Sequence, residues 1–158
     1  MEVIIRNAQK DDMPQVLELI KELALFEKEP EAVEVTVSEL EEAGFGTHPR
    51  FTCFVADAKD GLVGMALVYF RFSTWKGKTV HLEDLIVKEA FRGKGIGEQL
   101  YQRVMQFASE EGVKRVNWEV LDWNEGAIQF YERTGAQIMH DWRPVQFSRA
   151  AMENYLKQ

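Results

Sequence analysis

One segment of the chain, residues 79–110, constrains the fold most because its hydrophobic pattern changes period within it. Thr79–Val87 is rich in aliphatic residues and is typical of a strand. Gly95–Glu110 has apolar residues at helical spacing, namely Ile96, Leu100, Val104 and Phe107. The turn between them reads Arg92-Gly93-Lys94-Gly95-Ile96-Gly97. Glycines let backbone N–H groups approach an anion, and a helix N-terminus favours negative charge, so the segment predicts either a phosphate-binding loop or a simple connecting turn.

Two common phosphate-binding loops do not fit this turn. The dinucleotide fingerprint G-x-G-x-x-G would need glycine at Glu98 if it began at Gly93, and at Leu100 if it began at Gly95. The P-loop needs a Gly-Lys-Ser/Thr triplet, which does not follow here. The pattern that remains is Arg92-x-x-Gly95-x-Gly97, placed after a strand and before an amphipathic helix.

The rest of the sequence predicts one mixed α/β domain over residues 1–158, in the order β-α-α-β-β-β-α-β-α-β. The Asp60-Gly61 turn predicts an antiparallel hairpin. Besides the segment above, strands are predicted at Val3–Ile5, Phe51–Ala56, Leu62–Phe72, Arg115–Leu121, Ala136–Met139 and Pro144–Phe147. Helices are predicted after Asp11–Pro14, at Thr36–Ala43 and at Asn124–Arg133, with a short C-terminal helix capped by Ser148.

Composition narrows the class of protein. The 158 residues include 19 Lys+Arg and 26 Asp+Glu, a net charge of −7, which argues against nucleic acid or an anionic membrane as partner and favours a cationic one. A single cysteine, Cys53, excludes a disulfide framework and is expected to be a buried thiol. The three histidines, His48, His81 and His140, have no metal-ligand spacing, so no metal site is expected. Neither a signal peptide nor a membrane-spanning run is found, which predicts a cytoplasmic protein.

A second motif lies downstream, Asn124-x-x-Ala127-x-x-Phe130-Tyr131-x-x-x-Gly135-Ala136. Together the two motifs resemble the signatures of the GCN5-related N-acetyltransferase (GNAT) superfamily. Further segments make nearly the whole chain similar to the diamine (spermidine/spermine) N-acetyltransferase family, namely Ile20–Ala24, Gly44–Pro49, Leu82–Asp84 and Trp123–Glu125. The resemblance implies a central, mostly antiparallel sheet flanked by helices, acetyl-CoA as co-substrate, no metal, and a homodimer.

The resemblance also implies where the co-substrate binds. The backbone of Leu85, Ile86 and Val87 would pair with the pantetheine arm like an added strand. The pyrophosphate would lie on the loop made of Arg92, Gly93, Lys94, Gly95, Ile96, Gly97 and Glu98. Asn124 would hydrogen-bond the arm, or else cap its helix. Arg133 and Lys94 would offset phosphate charge, although Lys94 is more typical of a solvated cation.

Acetyl transfer to an amine requires a neutral nitrogen, and amines like that of lysine have pKa values of roughly 10, so deprotonation costs about 4 kcal/mol at pH 7. By resemblance Glu83 is the base, acting through water, and Tyr131 is the acid that protonates the departing thiolate. Strand alternation predicts that the neighbouring Asp84 lies on the opposite face of the sheet.

The acceptor site is expected to involve Phe26, Glu27, Glu83, Trp118, Glu119 and Asp141, again by resemblance. Phe26 stands where the family has an aromatic hydroxyl, which leaves the acceptor open. The leading expectation is a small polyamine or diamine. The alternatives are a thialysine-like amino acid, an aminoglycoside or a peptide N-terminus, and, in a different class, a non-catalytic acyl-CoA-binding sensor.

Overall fold

The computed structural model of the chain describes residues 2–158. Contacts divide it into two compact units, of which the first ends at Glu119 and the second comprises Val120–Gln158.

The first unit is built on a five-stranded sheet in the order β1-β2-β3-β4-β5. Adjacent strands are antiparallel except β4 and β5, which are parallel. The predicted mostly antiparallel sheet is therefore confirmed, as is the hairpin around Asp60-Gly61. The strands are β1 Ile4–Asn7, β2 Thr52–Asp57, β3 Leu62–Ser73, β4 Gly77–Val87 and β5 Val116–Asn117. The last is much shorter than the predicted Arg115–Leu121.

Three α-helices of this unit cover the sheet: α1 Met13–Phe26, α2 Val37–Phe45 and α3 Ile96–Glu110. The predicted start signals are confirmed, since Pro14 lies in the first turn of α1 and the Thr36 hydroxyl accepts a hydrogen bond from the Glu39 N–H at 3.1 Å. Two short 3₁₀ turns, at Lys10–Asp12 and Glu89–Phe91, precede α1 and α3.

Two hydrophobic clusters hold these layers together on the two sides of the sheet. On one side, α1 and α2 contribute Met13, Val16, Leu19 and Leu40 to a cluster with strand residues that include Met65 and Leu67. On the other, α3 contributes Ile96, Leu100 and Val104 to a cluster that includes Phe54, Val68 and Leu82. We call these sides the α1 face and the α3 face. Cys53 lies in the first cluster, where burial raises the pKa of its thiol to about 12, in agreement with the expected buried thiol.

A β-bulge interrupts the central β3–β4 pairing. Val68 pairs with Leu82 and Leu67 pairs with Asp84, so that Glu83 is the extra residue on β4. Asp84 consequently lies opposite Leu67 on the α1 face. Glu83 lies on the same face, beside His81 and Tyr69. The prediction that Glu83 and Asp84 lie on opposite faces is wrong, because simple alternation fails at the bulge.

The second unit contains helices α4 Glu125–Thr134 and α5 Arg149–Leu156. Both were predicted, and the Ser148 hydroxyl caps α5 by accepting from the Ala151 N–H at 3.1 Å. The strands predicted at Ala136–Met139 and Pro144–Phe147 are wrong, since the residues between α4 and α5 form neither helix nor strand. A strand exists through hydrogen bonds to a neighbouring strand, and Val120–Gln158 contains none.

Candidate active site

The predicted phosphate loop has the backbone of an anion-binding turn. Gly93 and Gly95 have φ values of +75° and +80°, and Gly95 is the residue immediately before α3. A Cβ atom built at either glycine would meet nothing within 4 Å, so both face open space. The free N–H groups of the first turn of α3 follow directly. The loop therefore fits a pyrophosphate, which a side chain at these positions would displace.

Arg92 fixes the loop to its neighbours rather than pointing freely into solvent. Its Nε donates to the Val87 carbonyl at 2.8 Å, at the end of β4. Its guanidinium also lies 5.2 Å from the ring centre of Phe26, the last residue of α1. The loop and the end of α1 are thus adjacent, which brings the expected pyrophosphate site next to the expected acceptor residues. Lys94 lies over the Phe91 ring at 5.4 Å.

The edge of β4 next to this loop has backbone groups available for a ligand. β5 pairs with β4 only at Val80 and His81. Beyond His81, the edge that includes Leu85, Ile86 and Val87 has no strand partner among residues 2–158, although the Val87 carbonyl accepts the hydrogen bond from Arg92. Because unpaired edge N–H and C=O groups bind extended chains, this edge suits the amides of a pantetheine arm.

The carboxylates of Glu27, Glu83 and Asp84 lie close enough to one another, near the start of this edge, for their charges to interact. Burial, together with the negative charges of Glu83 and Glu27, raises the pKa of Asp84 to about 6. Glu27 is the residue after the last turn of α1, and partial burial raises its pKa as well. A carboxylate at a helix C-terminus faces the negative end of the helix dipole, so the position of Glu27 is unfavourable on its own. Such a cluster is stabilised by a bound cation.

Glu83 differs from these two carboxylates because hydrogen-bond donors surround it. His81 Nε2 lies 3.2 Å and the Tyr69 hydroxyl 3.4 Å from its Oε2 atom. The hydrogen bond from His81 is the main reason that the pKa of Glu83 is lowered. Glu83 is thus held as a carboxylate.

Trp118 and Glu119, the remaining residues of the first unit that are expected at the acceptor site, have different surroundings. Trp118 packs edge-on against Tyr101 of α3, with ring centres 5.7 Å apart, on the α3 face. The charge of Glu119 instead helps to raise the pKa of Tyr69, whose main cause is burial. The charge of Glu119 thus acts on Tyr69, whereas Trp118 packs against α3.

The second unit carries the other predicted residues. Asn124 precedes α4, and its Oδ1 atom accepts from the Ala127 N–H at 3.3 Å, so its side-chain oxygen caps the helix. Tyr131 lies on α4 with its ring half-buried and 5.7 Å from the ring of Phe130. Arg133, in the last turn of α4, and Asp141, in the following segment, are exposed.

Sequence reasoning missed Tyr69, Arg71 and His81 as site residues. The spacing His81-x-Glu83 was a usable signal, because residues two apart on a strand share a face. The contribution of Tyr69 and Arg71 depends on the β3–β4 register, which pairs Tyr69 with His81, and no local pattern reveals that register.

Comparison with known proteins identifies the class to which this fold and site belong. Residues 13–136 match the Acetyltransferase (GNAT) family, so the chain is a member of that family. Enzymes of this family transfer acetyl groups to amines with acetyl-CoA as co-substrate, and the loop and strand edge described above fit that molecule.

Three individual proteins show how similar the chain is to other sequences and structures. The chain is 37% identical to thialysine N-epsilon-acetyltransferase from Bos taurus over 95% of both chains. It is 36% identical to spermidine/spermine N(1)-acetyltransferase-like protein 1 from Homo sapiens, over 92% of this chain and 22% of the human one. An integron cassette protein from the mobile metagenome of V. cholerae has the same fold, with a TM-score of 0.79, 24% identity and coverage of 100% of this chain and 99% of that one.

None of the helices in residues 2–158 combines the length and the apolar character that a membrane span requires.

Proposed function

We propose that this N-acetyltransferase acetylates a primary amine of a small diamine or polyamine. The observation that supports this acceptor class is the cluster of Glu27, Glu83 and Asp84, in which the charges of the first two raise the pKa of the third. An acceptor with a second ammonium group would relieve this repulsion while its reacting nitrogen lies near Glu83. The net charge of −7 favours the approach of such a cation.

The proposed chemistry uses two residues of this chain. Acetyl-CoA supplies the acetyl thioester. Glu83, kept ionised by its hydrogen-bond donors, receives the proton of the acceptor ammonium through water, which leaves a nucleophilic amine. The amine attacks the thioester carbonyl carbon, a C–N bond forms as the C–S bond breaks, and Tyr131 donates its phenolic proton to the thiolate that leaves. The backbone of Leu85–Val87 and of the Arg92–Glu98 loop holds the co-substrate, with Asn124, Lys94 and Arg133 as further contacts. Phe26, Glu27, Trp118, Glu119 and Asp141 complete the proposed acceptor site.

A thialysine-like amino acid is the second candidate acceptor. Two observations favour it: the name of the bovine relative, which is similar over 95% of both chains, and Phe26, which lacks the family's hydroxyl. Such an amino acid also has two amines, so the carboxylate cluster fits it too.

The test is a thiol-release assay with acetyl-CoA and a series of amines. The series contains monoamines, diamines and polyamines of matched chain length, together with thialysine. We expect wild type to prefer diamines and polyamines, and Glu27→Gln to raise their KM while changing that of monoamines little. Glu29→Gln is the matched control, since it removes an exposed charge from the same acidic stretch.

Each other outcome contradicts a defined part of the proposal. Equal use of monoamines and diamines would argue against the dication site. Preference for thialysine would select the second candidate. Binding of acetyl-CoA without thiol release on any amine would favour the sensor interpretation.

We also propose, from the family resemblance, that residues 1–158 form one acetyltransferase domain and that the protein is a cytoplasmic homodimer. The family match runs from residue 13 to 136 and so includes parts of both units, which supports a single domain. Exposed apolar side chains in the second unit, such as Val145 and Phe147, are typical of a surface covered in an assembly. Sedimentation of the purified protein tests the dimer.

A further inference from the structure

A buried histidine lies directly behind Glu83. The His81 side chain is 7% exposed, whereas that of Glu83 is 51% exposed, and His81 Nε2 lies 3.2 Å from Glu83 Oε2. The Tyr69 and His81 rings, from paired residues on neighbouring strands, have centres 5.2 Å apart. The imidazole is thus held by packing, while the carboxylate that it contacts reaches toward solvent.

The groups that contact Nδ1, the other ring nitrogen of His81, determine whether Nε2 carries a hydrogen atom. Arg71 Nη1 lies 3.1 Å from His81 Nδ1, and a guanidinium can only donate. With the Asn117 amide oxygen turned toward the ring, that oxygen lies 3.2 Å from Nδ1 and 2.7 Å from Arg71 Nη1. Nδ1 therefore accepts from Arg71 in one arrangement and donates to Asn117 in the other.

Both arrangements put a hydrogen atom on Nε2. When Nδ1 accepts from Arg71, the ring proton must be on Nε2. When Nδ1 donates to Asn117, Nε2 still faces a carboxylate, which can only accept, so a hydrogen on Nε2 is what forms the hydrogen bond to Glu83. His81 is a hydrogen-bond donor to Glu83 in either case.

Glu83 needs such a partner because of where it lies. It is the extra residue of the bulge, so no residue of β3 pairs with its backbone and fixes its direction. The side chain of a glutamate also has three rotatable bonds, and their freedom must be lost for proton transfer in a defined geometry. The Tyr69 hydroxyl is the longer contact, at 3.4 Å.

We propose that His81 is a positioning residue for Glu83: its buried imidazole, flanked by Arg71 and Asn117, directs Nε2–H at the carboxylate and holds it in the orientation that receives the acceptor's proton. The inference rests on the proposed role of Glu83 as base. His81 itself acts through Glu83 and does not touch the acceptor.

The first test uses His81→Phe and His81→Gln. Phenylalanine keeps an aromatic ring next to Tyr69 but removes the N–H donor, whereas the glutamine amide can offer an N–H near the position of Nε2. We expect His81→Phe to lower kcat/KM for the amine about ten- to a hundredfold with acetyl-CoA affinity unchanged. The titration of the Glu83 carboxyl, followed by ¹³C NMR, should move to higher pH. His81→Gln should restore most of both properties.

Tyr69→Phe is the matched control, because it removes the longer hydrogen bond to the same oxygen. We expect a smaller shift of the Glu83 titration than in His81→Phe. An unchanged Glu83 titration in folded His81→Phe, or an equal shift in Tyr69→Phe, would overturn the proposal.

A measurement on the wild type keeps the test independent of whether a variant folds. Long-range ¹H–¹⁵N NMR of the imidazole should find a hydrogen on Nε2 of His81, and an unprotonated Nε2 would overturn the inference. These NMR readouts also separate it from the proposed function. If no amine is acetylated but the Glu83 titration depends on His81, the proposed function fails and the contact between the two residues stands.

Discussion

Asp84 is the residue at which function and stability oppose each other most clearly. Its carboxyl is largely buried on β4, and its charge adds to the effect of burial in raising the pKa of the Cys53 thiol, which lies two strands away on β2. Among residues 2–158, no hydrogen bond to its side chain compensates for this burial, and the charges of Glu83 and Glu27 lie nearby. A residue that destabilises the ionised folded protein in this way is typical of a binding site rather than of a structural core.

We therefore expect Asp84→Asn to stabilise the protein above pH 6. The pKa of Asp84 is about 6 in the folded protein and about 4 when unfolded, so the folded state binds the proton more tightly and loses stability as pH rises through this interval. The variant should gain up to about 3 kcal/mol over wild type at pH 8 and little at pH 4. Denaturant unfolding at both pH values measures this, and an equal difference at the two would contradict it.

Tyr131 permits a prediction about turnover. Tyr131→Phe removes the phenolic proton while leaving the ring, so acetyl-CoA affinity should persist and kcat should fall by roughly 10²–10⁴-fold. Tyr155→Phe, at an exposed position of α5, is the control and should retain wild-type kcat. Wild-type turnover in folded Tyr131→Phe would assign that tyrosine to packing.

At the scale of single residues, the sequence predicted chemical types better than positions. Glu83 and Glu27 stand among the carboxylates expected from the motifs. The face of Asp84 was predicted wrongly because nothing in Leu82-Glu83-Asp84-Leu85 marks a bulge, which depends on how β3 pairs with it. For the same reason Tyr69 and Arg71, contributed by the neighbouring strand, were not recognised as partners of the site.

Among the elements, the β4–loop–α3 unit carries the most specific expectation. Gly95→Asp should abolish acetyl-CoA binding, since its side chain would enter the open space at Gly95 and add a negative charge where the pyrophosphate is proposed to bind. The positive φ of +80° also predicts a stability loss of about 1 kcal/mol.

Gly112→Asp is a control matched in backbone strain. Gly112 lies just beyond the other end of α3, has a φ of +69° and likewise has nothing within 4 Å of a built Cβ. It should lose similar stability yet titrate normally with acetyl-CoA in isothermal calorimetry. Normal acetyl-CoA binding by folded Gly95→Asp would contradict the loop assignment.

The elements also differ in how far local sequence determines them. Helices α1, α2 and α5 begin where their proline, threonine and serine signals predict, because capping depends on residues within one turn. Strands depend on distant partners, so residues 136–147 have apolar residues without forming the predicted strands. β5 is limited for the same reason to two paired residues.

For the whole molecule, the net charge of −7 predicts salt-dependent kinetics. A cationic acceptor is attracted over distances that shrink from ~30 Å to ~10 Å as ionic strength rises from about 10 mM to about 100 mM. We expect kcat/KM for a polyamine to fall several-fold over this range, and more steeply than for a monoamine. Thiol-release assays at each NaCl concentration measure kcat/KM for the polyamine and for the monoamine. An equal dependence of the two values on salt would contradict a multivalent cationic acceptor.

The bulge also determines how β4 would respond to the deletion of a residue. The α3 face receives Val80 and Leu82 before the bulge but Leu85 and Val87 after it, so the hydrophobic pattern changes from even to odd numbers at Glu83. Deleting Glu83 would restore unbroken alternation and leave every one of these side chains on its present side. The packing of the sheet therefore does not depend on Glu83. We expect the deletion variant to fold with a melting temperature at or above that of wild type and to have no acetyltransferase activity.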